Sequence, residues 1–174
     1  MVVQNGNFLT IKESGVDFGL YHVDDCYLIE SSNGFKKLGD NFKTVEFSYI
    51  KNSRIYFVEA KSSIPRPISK DDYEGFWLDI ITKIEHSLLL QMMACSKVNK
   101  IAMLDLPVNH QAINWGNIKI HLRLVIPEVP TDLLPGMTDV FRQKAKMIKR
   151  MWQIPDGNIF VINKQKGQRE GLII

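Results

Sequence analysis

The stretch KTVEFSYIKNSRIYFVEAKSS, Lys43 to Ser63, decides how this chain folds. Thr44 to Tyr49 alternates polar and apolar residues, Lys51 to Arg54 has turn composition, and Ile55 to Val58 is a run of strongly β-favouring side chains. Two strands joined by a tight turn form a β-hairpin. With Asn52 and Ser53 at the centre of the turn, Glu46 lies directly opposite Glu59, and sheet geometry brings their Cβ atoms to about 4.5–5.5 Å on one face. Side chains alternate along a strand, so Lys61 projects from the same face and Ala60 from the other.

Facing carboxylates repel, and the arrangement costs free energy unless a cation lies between them. Carboxylate oxygens are hard ligands of the kind that Mg²⁺ or Mn²⁺ requires, and two of them leave coordination positions for water and a substrate phosphate. Lys61 can orient or deprotonate an attacking water, or neutralise charge that develops in the transition state. Spacing alone is equally compatible with a solvent-facing hairpin in which either glutamate pairs with Lys61, a contact of little energetic weight.

Val45-Glu46-Phe47, a short hairpin, and then Phe57-Val58-Glu59-Ala60-Lys61-Ser62-Ser63 resemble the second and third motifs of the PD-(D/E)XK, or restriction-endonuclease-like, nuclease superfamily. The resemblance is strongest over residues 30–95. It implies an α/β (α+β) fold with an αβββαβ core, a mixed central sheet flanked by helices. It also implies a divalent-metal-dependent nuclease acting on DNA, with Glu46, Glu59 and the Ala60 carbonyl as ligands of Mg²⁺ or Mn²⁺ and Lys61 as the catalytic lysine. Glu46 stands where the family more often has Asp. The family's further upstream acidic residue corresponds to Glu30, with Asp24, Asp25 and Glu13 as alternatives. On the helix after the third motif, where the family often adds a Lys or Gln, Lys83 and Gln91 are available, Gln91 being expected on the exposed side. Proteins of this superfamily act as homodimers or within larger defence or mobile-element systems. The rival reading is a non-catalytic module that keeps the fold to grip nucleic acid or a protein partner.

Outward from the hairpin, Phe8 to Lys12 and Cys26 to Glu30 are expected strands, separated from the hairpin by a loop, Ser31 to Asp40, with a helical turn at Phe35 to Leu38. Pro65 and Pro67 stop the second hairpin strand. A long helix follows, capped by Asp71 or Asp72, with Tyr73, Trp77, Ile80, Ile81, Ile84, Leu88, Met92 and Cys95 on one apolar face. Lys100 to Leu106 and Ile118 to Ile126 are expected strands, and in the second Lys119, His121 and Arg123 alternate with apolar residues. A second helix is expected from Thr131 or Asp132 to about Trp152, then a strand from Asn158 to Asn163.

With 174 residues, 45% hydrophobic and 24% charged, the composition is that of one ordinary globular domain. A net charge of +3 is too small to prove a nucleic-acid partner. Local clusters carry that argument: Arg142, Lys146 and Lys149 on the second helix, with Ser62 and Lys83 near the hairpin, are the candidate phosphate contacts. Trp77 and Trp152 have core spacing. The four histidines lack metal-ligand spacing, and there is no phosphate-binding GxxxxGK[ST] loop. Isolated Cys26 and Cys95 fit a reducing cytoplasm, and neither a signal peptide nor a membrane span is expected.

Overall fold

Turns at Gly6 and Gly15, both at positive φ, fold the N-terminus into an antiparallel meander in the computed structural model, which describes residues 1–174. Its strands are β1 (Val2–Asn5), β2 (Phe8–Glu13) and β3 (Val16–His22). A second sheet contains β4 (Cys26–Tyr27), β5 (Phe47–Lys51), β6 (Arg54–Ala60), β7 (Lys119–Val125) and β8 (Ile159–Ile162), in that spatial order. Strands β4, β5 and β6 are antiparallel neighbours, whereas β7 and β8 join parallel to β6. Parallel neighbours need long crossovers. Between β4 and β5 lies the short α1 (Asn33–Lys36). The 26-residue α2 (Lys70–Cys95), with α3 (Lys100–Leu104) and α4 (Val108–Gln111), connects β6 to β7. Helices α5 (Leu134–Lys144) and α6 (Lys146–Trp152) connect β7 to β8, and α7 (Lys164–Arg169) follows β8.

The hairpin register is the expected one: Lys51 faces Arg54, Tyr49 faces Tyr56 and Phe47 faces Val58. Asn52 and Ser53 have φ of 51° and 58°, so both central residues are left-handed. Such a two-residue turn matches the right-handed twist of the strands it joins. Strand β5 starts at Phe47, later than expected, because the chain bends at Glu46.

Alternation along the strands divides the core in two. Ile55 and Phe57 of β6, Leu122 and Leu124 of β7, and Ile159 and Val161 of β8 pack under Trp77, Ile80, Ile84 and Leu88 of α2 and Phe141 of α5. On the other face, Phe47, Tyr49, Val58, Val125 and Ile162 pack against Leu9, Ile11, Phe18 and Tyr21 of the meander and Leu172 and Ile173 of the C-terminus. Each fully buried side chain of this size contributes about 1.5–3 kcal/mol. Helices therefore flank one face of the mixed sheet, while the meander covers the face where the sequence reading also placed helices.

Other differences are local. Lys100 to Leu104 is helical rather than extended, since the Asn99 side chain accepts from the Ala102 N–H at 3.0 Å and caps a turn of helix. The strand expected over Cys26 to Glu30 is limited to Cys26–Tyr27. The second long helix is interrupted at Ala145, whose ψ is 10°. Helix α2 starts at Lys70, with Asp71 and Asp72 inside its first turn, where they favour the helix dipole instead of capping it. No helix is long and apolar enough to cross a membrane.

The turn predicts its own mutational behaviour. A left-handed non-glycine residue costs about 1–2 kcal/mol, and glycine returns about 0.5–1 kcal/mol of that as unfolded-state entropy. Ser53→Gly is thus expected to stabilise by about 0.5 kcal/mol, and β-branched Ser53→Val to destabilise by about 1 kcal/mol or more, as read by urea denaturation.

Candidate active site

Glu59 is the penultimate residue of β6 and points to the α2 face, where it is 1% exposed. A buried carboxylate must be paired. Lys83, projecting from α2, donates from Nζ to Glu59 Oε1 at 2.7 Å, and Lys61 Nζ lies 3.2 Å from the same oxygen. Lys61 also reaches Asp79 Oδ2 at 3.4 Å, and Asp79 Oδ1 accepts from Lys43 Nζ at 2.6 Å. A chain of alternating charge thus runs from the interior to the surface, through Lys83, Glu59, Lys61, Asp79 and Lys43.

The helix supplies this polar contact through a stripe at four-residue spacing, Asp79, Lys83, Ser87 and Gln91, which lies along one side of α2. Ser87 Oγ accepts from the Val45 N–H at 2.9 Å. In the regular ladder that N–H would bond to the Ala60 carbonyl, so the Ala60 oxygen is released from its cross-strand partner at the point where the strands separate. Gln91 is fully buried, correcting the expectation that it is exposed. It accepts from Ser48 Oγ at 2.8 Å and donates to His110 Nδ1 at 2.6 Å. His110 is buried too, and burial lowers its pKa to about 4. The neutral ring then donates from Nε2 to the Asp25 carbonyl at 2.8 Å, joining α4 to the residue that precedes β4.

Extending the hairpin register by one residue puts Glu46 opposite Glu59. Burial first, then a hydrogen bond with the Glu30 carboxyl and the charges of Glu59 and Glu30, push the Glu46 pKa up to about 9, against the opposing effect of Lys83. Glu30 comes from the turn after β4, held between buried Ile29 and Ser32, whose hydroxyl donates to the Ile29 carbonyl at 2.7 Å. Glu59 is also shifted upward, with burial outweighing Lys83 and Lys61. Burial disfavours the Lys83 ammonium, yet Glu59, Glu46 and Glu30 together raise its pKa. Burial is the largest cause of both carboxyl shifts, and the neighbouring carboxylates raise Lys83, so the groups of this pocket retain protons and call for positive charge.

A divalent cation would meet that demand, and the donor set fits one. Glu59 Oε2 is buried without any hydrogen-bond partner, and the Glu46 carboxyl and the Ala60 carbonyl supply further oxygens nearby. As the side chains stand, no three carboxylate, imidazole or thiol groups enclose a metal position, and the Lys83 ammonium sits against Glu59 Oε1.

The structure gathers Glu30, Glu46, Glu59 and Lys61 and leaves Ser62 exposed on the rim. Lys83, expected as a phosphate contact, is the partly buried partner of Glu59, with 12% of its side chain exposed. Arg142, Lys146 and Lys149 line a separate groove beside Asp156, which pairs with Lys149. Glu59 is level with Leu124 and Val161, whereas Asp156 precedes the start of β8. The two regions lie toward opposite ends of the parallel strands, and no residue of the acidic cluster lines the basic groove. Asp79 and Lys43 were not singled out in the sequence. Asp79 stands one helical turn before Lys83, and this spacing was the available signal.

The chain matches no protein-family model, no curated protein and no solved structure. The geometry of the cluster therefore carries the functional argument.

The Glu46 shift has a definite consequence for stability. Its folded pKa, about 9, exceeds the ordinary 4.5, so the native state keeps a proton that the unfolded chain releases, and stability falls as pH rises between those values. Without divalent ions, Glu46→Gln should melt about 2–4 °C above the native protein at pH 8, a gain of about 1 kcal/mol, and show no advantage at pH 4. Thermal denaturation at the two pH values checks this.

Proposed function

We propose that the chain is a divalent-metal-dependent nuclease that hydrolyses phosphodiester bonds of DNA, acting in the cytoplasm. The observation that carries this reading is the convergence of Glu30, Glu46 and Glu59 with Lys61 around an unpartnered buried carboxylate oxygen. Support also comes from topology. Three antiparallel strands, a long helix and a parallel strand follow one another in the order that the PD-(D/E)XK resemblance implies. One departure is that Glu30 arrives from the turn after β4, not from a helix before the first core strand.

Glu46, Glu59 and the Ala60 carbonyl would hold Mg²⁺ or Mn²⁺, with Glu30 bracing the Glu46 carboxyl. When bound, the ion supplies Lewis-acid neutralisation of phosphate charge and favours attack by water. Lys61 is 29% exposed and touches both Glu59 and Asp79, so it can face a substrate while remaining oriented. Its role is to position the attacking water and to neutralise charge on the phosphoryl oxygens. Asp79 and Lys43 fix Lys61 from the outer side. Lys83 keeps Glu59 charged and aligned.

Linear, circular and single-stranded DNA, with RNA in parallel, incubated with Mg²⁺ or Mn²⁺ test the reading. Cleavage is expected to disappear with chelator and to fall at least about 100-fold in Glu59→Ala and in Lys61→Ala. Cleavage that survives both substitutions contradicts it. A second reading, a non-catalytic module gripping nucleic acid or a protein partner, is favoured by the two ammonium groups already at Glu59 Oε1. Absence of Mg²⁺ or Mn²⁺ uptake in calorimetry, even with DNA present, decides for that second reading.

A further inference from the structure

The opposite face of the hairpin carries the reverse charge problem. Lys51 faces Arg54 across the β5–β6 pair, and Arg54 faces Lys119 across the β6–β7 pair. Three cations thus stand in a row across three strands. None of them forms an ion pair. Like charges in directly opposed positions repel unless something anionic lies among them.

The next row on the same face is Tyr49, Tyr56 and His121, stacked at ring-centroid distances of 4.6 and 4.7 Å. His121 is 7% exposed, yet neither ring nitrogen has a hydrogen-bond partner. Buried imidazoles normally have one. Beyond it lies Arg123, whose Nε donates to Glu170 Oε2 at 2.9 Å and whose Nη1 donates to the Leu122 and Asn158 carbonyls at 3.1 and 3.0 Å. Glu170, the one acidic residue of this pocket, is therefore already neutralised by Arg123. Lys51, Arg54, Lys119, His121 and Asn158 line a cavity of about 510 Å³, well within the size range of small-molecule sites.

We propose that this cavity is a second ligand site, which takes the phosphate group of a phosphomonoester of about mononucleotide size. Three unpaired cations suit a multiply charged anion, and Arg54 offers the planar fork that phosphate recognition favours. His121 forms part of the inner wall, where its ring resonances report on an occupant. Burial, followed by repulsion from Arg123, Arg54 and Lys119, holds the ring neutral with its pKa near 4. The site uses no residue of the acidic cluster and does not depend on the nuclease reading.

The test is a titration of the full chain, at constant ionic strength, with inorganic phosphate, 5′-dAMP and a 5′-phosphorylated oligonucleotide, following the histidine ring resonances by NMR and affinity by calorimetry. Saturable binding that moves the His121 resonances is expected, with affinity lowered at least tenfold in the surface variant Arg54→Glu/Lys119→Glu. Binding of 5′-dAMP identifies a small-molecule phosphate, and binding of the oligonucleotide alone identifies a polynucleotide end; both support the site. Resonances unmoved by all three probes, or binding equally tight in the Arg54→Glu/Lys119→Glu variant, overturns it.

Discussion

Burial of the Glu59 carboxylate is the constraint around which this molecule is arranged. A charge that is 1% exposed must be compensated within bonding distance, and the compensation defines the relation of α2 to the hairpin. Lys83 and Lys61 meet one oxygen of Glu59, and Asp79 and Lys43 extend the alternation to solvent. Ser87 takes the Val45 N–H out of the ladder and so opens the strands beside Glu59. The apolar face of α2 determines how tightly the helix packs, and its polar stripe determines the rotation and register at which it does so.

The two faces of the hairpin have opposite electrostatic character because β-strands alternate. Toward α2, acidic residues collect and retain protons. Toward the meander, Lys51, Arg54 and Lys119 collect without counterions. Both clusters hold like charges at opposed strand positions, and in each a buried polar atom lacks a partner: Glu59 Oε2 on one face and the His121 ring nitrogens on the other. Each such group costs folding about 1–3 kcal/mol while it stays unpaired.

The hairpin was legible in the sequence because its signal is local. Period-two alternation and two adjacent turn residues fixed the register by counting, and with it the Glu46–Glu59 opposition and the shared face of Lys61. Glu30 was reachable only through family resemblance, since nothing in its neighbourhood indicates a fold back onto Glu46. Asp79 and Lys43 were missed, and Gln91 was placed on the exposed side, because their partners are 36, 18 or 43 residues away, and a polar residue beside an apolar helical stripe looks solvent-facing until the strand opposite it is known. The meander that covers the other face of the sheet comes from the start of the chain, and single-strand periodicity does not indicate which sheet packs on which. Arg142, Lys146 and Lys149 were correctly seen as a basic cluster, but their position along the sheet depends on how α5 and α6 run back between parallel strands.

The central claim is that the buried Glu46–Glu59 carboxylate pair is a cation site. A crystal structure of the protein soaked in Mn²⁺, with anomalous diffraction data, tests it most directly. The account predicts an anomalous peak bridging Glu46 and Glu59, in contact with the Ala60 carbonyl, and displacement of the Lys83 ammonium from Glu59. No peak at these carboxylates, with the Lys83–Glu59 pair intact at saturating Mn²⁺, would contradict it.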